Sequence, residues 1–97
     1  MSNNSYELLF IAEPTLDQER LAAIQERISN LISQGEGAVD SVDDWGIRRF
    51  AYQIKKFAEG RYMLVNFQCP ATRIDALNKQ MRLVQDVIRF VVVRKGD

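Results

Sequence analysis

The chain contains no histidine. That removes the commonest side-chain base and metal ligand near neutral pH. Cysteine occurs once, proline twice and glycine five times in 97 residues. A lone cysteine forbids an internal disulfide, and it fits a reducing compartment without requiring one. With no histidine to activate it, Cys69 is a poor nucleophile and reads as a small buried hydrophobe at a strand end. No apolar run approaches the ~20 residues that cross a bilayer. The opening Met1-Ser2-Asn3-Asn4-Ser5 carries no positive charge, so no secretion signal is read there. A glycine-rich phosphate loop and a metal-ligand cluster are both missing. Neighbouring Asp43 and Asp44 point to opposite faces of a strand and do not form a catalytic pair. No catalytic residue, metal ligand or cofactor is expected, and no membrane or small-molecule partner.

Net charge is absent too, with 13 cations against 13 carboxylates, but the balance is uneven along the chain. Residues 1–44 hold two cations against nine carboxylates, and residues 45–97 hold eleven against four. A molecule polarised in this way can offer a basic face to a polyanion and an acidic face to something else. The basic half opens on Trp45-Gly46-Ile47-Arg48-Arg49-Phe50-Ala51-Tyr52-Gln53-Ile54-Lys55-Lys56, where four cations are interleaved with five large apolar or aromatic side chains. Cations neutralise phosphates, and flat apolar groups stack or pack beside them.

The length fits one domain over residues 1–97. Ser5 to Ala12 alternates as a strand, with Tyr6, Leu8 and Phe10 on one face. Thr15 and Gln18 have the spacing of a capping box. Leu21, Ile24, Ile28, Leu31 and Ile32 then make one helical stripe, which Gly35 and Gly37 end. Ala38 to Ile54 reads as a long strand with a candidate bulge at Gly46. Phe57-Ala58-Glu59-Gly60 reads as the hairpin connection, with the glycine at a positive φ. Arg61 to Cys69 alternates again, with Met63, Val65, Phe67 and Cys69 facing one way. Thr72 and Asp75 offer a second cap, Ile74, Leu77 and Met81 a second helix, and Val87 to Val93 a last strand. The order βαββαβ, with right-handed crossovers, predicts an α+β ferredoxin-like sandwich. Its four-stranded antiparallel sheet takes the order 4-1-3-2, with both helices on one face.

Three kinds of function suit such a sandwich. An acylphosphatase-like enzyme needs an anion-binding loop after the first strand, but Glu13-Pro14-Thr15 is acidic. A generic single-strand RNA binder stacks bases on strand aromatics, here Tyr62 and Phe10; the third strand shares Tyr62, Val65 and Phe67 with that pattern. A small dimeric regulatory or ligand-binding module buries its free sheet face against itself.

The basic run separates these readings. Asp44-Trp45-Gly46-Ile47-Arg48-Arg49-Phe50-Ala51-Tyr52-Gln53-Ile54-Lys55-Lys56 resembles the signature of the bacterial small-subunit ribosomal protein family conventionally numbered six. Tyr6-Glu7 and Val87-Ile88-Arg89-Phe90-Val91-Val92-Val93-Arg94 are similar to that family's first and last strands. The chain departs from the family pattern at Asn3, Asn4 and Ser5, where basic residues are usual, and at Gln53, where proline is common. The resemblance implies a non-catalytic constituent of the cytoplasmic ribosome. It would bind small-subunit rRNA together with the small ribosomal subunit protein numbered eighteen. By match to the signature, the rRNA-binding residues it implies are Arg48, Arg49, Tyr52, Lys55 and Lys56. The last strand and tail add Arg89, Arg94 and Lys95. Their contacts would go mostly to phosphate and sugar.

Overall fold

The computed structural model describes residues 3–96. Met1 and Ser2, on which part of the N-terminal reading rests, and Asp97 lie outside the described residues. Strand β1 spans Asn4–Ala12, helix α1 Gln18–Gln34, strand β2 Ala38–Ile54 and strand β3 Phe57–Cys69. A 3-10 turn at Ala71–Arg73 leads into helix α2, Ile74–Met81, and strand β4 closes the chain at Val87–Arg94. The sheet order is β2-β3-β1-β4, the expected order read from the other edge, and every pairing is antiparallel.

One face of the sheet supplies the core. Tyr6, Leu8 and Phe10 stand opposite Phe67, Val65 and Met63 across the β1–β3 ladder. All six are buried, together with Leu21, Ile24, Ile28 and Ile32 of α1 and Leu77 and Met81 of α2. Tyr6 and Phe67 stack with centroids 5.5 Å apart. Among the described residues, the opposite face carries no helix.

Several local expectations shift by a residue or two. Asp17, not Thr15, caps α1: its carboxylate accepts the Arg20 N–H at 2.8 Å. The start of a helix follows from which residues its core-facing stripe must reach, and α1 starts at Gln18, so Asp17 holds the cap position. The end of α1 is a Schellman turn in which Glu36, not a glycine, takes the left-handed conformation at φ 65°. The Gly37 N–H donates to Ile32 C=O at 2.9 Å and the Glu36 N–H to Ser33 C=O at 3.1 Å. No side chain caps α2, because the 3-10 turn after Pro70 absorbs Thr72.

The hairpin also turns earlier than expected. Ile54 pairs with Phe57, so Lys55 and Lys56 form a two-residue connection, both with positive φ. Phe57–Gly60 belongs to β3. Gly46 does sit at a bulge, with φ 80° and a register shift between Asp44 and Gly46. Gly60 serves a different purpose, close approach: a Cβ there would overlap Ile11 Cγ2 and come within 3.0 Å of Phe50 Cζ. That vacancy lets Phe50 lie over the sheet and tilt against Tyr62, with centroids 6.3 Å apart. Gly60→Ala is expected to cost about 1–3 kcal/mol through overpacking, read as a lowered urea midpoint with an unchanged m-value.

Candidate nucleic-acid interface

All eight expected contact residues are exposed, but they do not share one surface. Arg48 pairs with Gly60 and Arg49 with Glu59 across the β2–β3 ladder. Adjacent strand residues alternate in direction, so Arg48 lies on the helix-free face with Ile11 and Tyr62, and Arg49 on the other. The Arg48 guanidinium sits 5.7 Å from the centroid of the Trp45 ring. Trp45 is 44% exposed and Tyr52 76% exposed, so these two aromatics, unlike the half-buried Phe50, are open to a partner. Phe10 is fully buried beneath the helices, which removes it as a base-stacking platform.

Lys55 and Lys56 occupy the hairpin tip at φ 49° and 75°. This is a type I′ pair of positions, where asparagine and glycine are favoured and other residues pay for the left-handed conformation. Arg89 stands opposite Ile11 on the helix-free face. A groove of about 520 Å³ brings Lys55 and Arg89 together along the outer side of β4. The same groove holds Arg82, which follows α2 and which no sequence motif marked. Arg94 and Lys95 lie at the far end of β4. There the Arg94 guanidinium donates to Asn4 Oδ1 at 3.3 Å, and the Lys95 N–H to Ser5 C=O at 2.9 Å.

Ion pairing divides the cations into a small paired set and a larger unpaired one. The ion pairs among the described residues are Arg20–Asp86 at 3.4 Å, Arg61–Asp44 at 2.9 Å and Arg73–Glu36 at 3.6 Å. None of them draws on the seven candidate cations. Asp44 is also spoken for locally, since it accepts the Gly46 N–H at 2.8 Å. Across the middle of the helix-free face runs an apolar row, Val91–Leu9–Leu64, flanked by Val93. Val91 is 48% and Val93 50% exposed, whereas Ile11 is covered by its neighbours.

The family model described as Ribosomal protein S6 matches residues 5–94. The chain belongs to the ribosomal protein S6 family. A small ribosomal subunit protein bS6 from Carboxydothermus hydrogenoformans is 42% identical over 90 residues, which cover 93% of this chain and 94% of that one. Its counterpart from Heliobacterium modesticaldum is 39% identical over 92 residues, covering 95% and 96%. The crystal structure of 30S ribosomal protein S6 from Thermotoga maritima matches with a TM-score of 0.89 at 33% identity, covering 97% of this chain and 89% of that one. The S6 family is one of structural ribosomal proteins and not of enzymes. No helix among the described residues is long and apolar enough to cross a membrane.

Cys69 is buried, and desolvation pushes its thiol up. The fold favours the neutral thiol, so this group's contribution to stability is full below the unfolded-chain pKa and is lost as pH rises through the folded one. Ellman's reagent at pH 8 is expected to react slowly with the folded protein and rapidly in urea; equal rates would place the thiol at the surface. At the hairpin tip, replacing Lys55 by Asn and Lys56 by Gly relieves two strained positions. The double variant is expected to gain about 1–2 kcal/mol in urea unfolding.

Proposed function

We propose that this protein is a non-catalytic constituent of the small ribosomal subunit, acting as one domain in the cytoplasm. It binds small-subunit rRNA jointly with the small ribosomal subunit protein numbered eighteen. The observation that carries this reading is the division of labour among the cations. The fold takes its ion pairs from Arg20, Arg61 and Arg73 and leaves Arg48, Arg49, Lys55, Lys56, Arg89, Arg94 and Lys95 open to solvent. Open cations at edges and tips meet phosphates at little desolvation cost, and each phosphate neutralised releases counterions. Arg48 over Trp45 adds flat surface for a ribose or base, and Tyr52 is a second exposed aromatic of the same strand. The apolar row of Val91, Leu9 and Leu64 supplies a surface for the protein partner, which a phosphate backbone does not cover.

The reading makes a joint prediction for the central domain of small-subunit rRNA. Binding is expected to be weak for this protein alone and stronger with the partner, and to fall as salt rises. Binding that ignores the partner, or no binding in either condition, overturns it. Arg48→Gln combined with Arg49→Gln is expected to reduce the salt slope by about one to two. Dimerisation through the helix-free face is the competing reading. Sedimentation of the free protein separates the two, with a monomer expected here.

A further inference from the structure

The groove beside β4 joins Lys55 and Arg89, which the family resemblance implied, to Arg82, which it did not. Its cations come from three separate parts of the chain: Lys55 from the hairpin tip, Arg82 from the turn after α2, and Arg89 from β4 itself. Among the described residues, no carboxylate lines it. None of the three forms an ion pair among the described residues. Three like charges gathered without a counter-ion repel one another, and that arrangement suits a site that an anion completes.

The floor of the groove is the free edge of the sheet. The Lys95 N–H donates to Ser5 C=O, and Ser5 and Lys95 continue the β1–β4 register. In an antiparallel ladder such bonded positions alternate, so Phe90 and Val92 turn their peptide groups away from β1 and into the groove. Outward backbone N–H donors beside guanidinium and ammonium groups are the usual furniture of a phosphate contact. An added β-strand is disfavoured here, because cations flanking a free edge discourage strand pairing.

The geometry points to a phosphodiester-binding cradle in this groove, in which Arg82, Lys55 and Arg89 hold one stretch of RNA backbone against the open edge of β4. The inference rests on the rRNA-binding reading above and adds Arg82 and the edge amides of Phe90 and Val92 to it. The cradle lies apart from Arg94 and Lys95, so the RNA backbone would meet β4 at two separate places.

The test compares Arg82→Gln with Lys79→Gln, a charge-matched change on α2 outside the groove, in the full-length protein with its partner on central-domain rRNA. Arg82→Gln is expected to lower affinity about five- to tenfold and reduce the salt slope by about one, while Lys79→Gln leaves both unchanged. In parallel, a ten-nucleotide oligouridylate is titrated into nitrogen-15-labelled protein. The Phe90 and Val92 amides are expected to shift in the parent and not in Arg82→Gln. If the parent binds rRNA and Arg82→Gln matches Lys79→Gln, the cradle is overturned and the ribosomal reading stands. If the parent binds no rRNA, both fall together. Amide shifts produced by an extended acidic peptide and not by the oligonucleotide would mark the edge as a strand-pairing site and also overturn the proposal.

Discussion

Strand β1 is the constraint on which the rest of the molecule depends. It is hydrogen-bonded on both sides, by β3 and by β4, and its residues Leu8 and Phe10 have no accessible surface. A strand enclosed in this way has no room for cations, and burying an unpaired charge there would cost several kcal/mol. Positive charge is therefore pushed outward, onto β2, β4 and the loops. The edges and tips that carry the candidate contacts are what this central burial leaves available.

The polarity of the sequence survives folding only in part. Arg61 and Arg73 of the basic half reach back to Asp44 and Glu36 of the acidic half, and Asp86 receives Arg20. These pairs lie mostly in solvent, so each contributes little to stability. Their larger effect is to decide which cations remain free. Had Arg89 or Arg82 been paired instead, the groove along β4 would keep two free cations rather than three. Charge selection of this kind links the fold to its chemistry more directly than any single strong contact.

Much of this was legible in the sequence. Period-two alternation in Tyr6–Phe10 and Met63–Cys69 identified the buried face, and the limits of β2 matched the reading. The same alternation placed Arg48 and Arg49 on opposite faces. Positive φ was harder to read, because the signal used was glycine. Apart from Gly46, the left-handed positions fell on Glu36, Lys55 and Lys56, where turn geometry overrode residue preference, and Gly60 was needed for close packing instead. Arg82 was invisible for a different reason. Its meaning comes from meeting Lys55 and Arg89, which lie 27 and 7 positions away in the chain, and no local pattern encodes that meeting.

The two edges of the sheet differ in how they would treat another copy of the chain. Between Ala38↔Gln68 and Ile54↔Phe57, β2 advances 16 residues while β3 advances 11, and the surplus is taken up at three register shifts. Each shift coils the outer strand and breaks the even spacing of its unused peptide groups. A second chain approaching β2 therefore finds no straight ladder to extend, and fibrous growth from that side is blocked by geometry alone. On β4, which has no such irregularity along most of its length, the work falls to charge. The two flanks of the sheet thus resist strand addition by different means, backbone shape on β2 and clustered positive charge on β4.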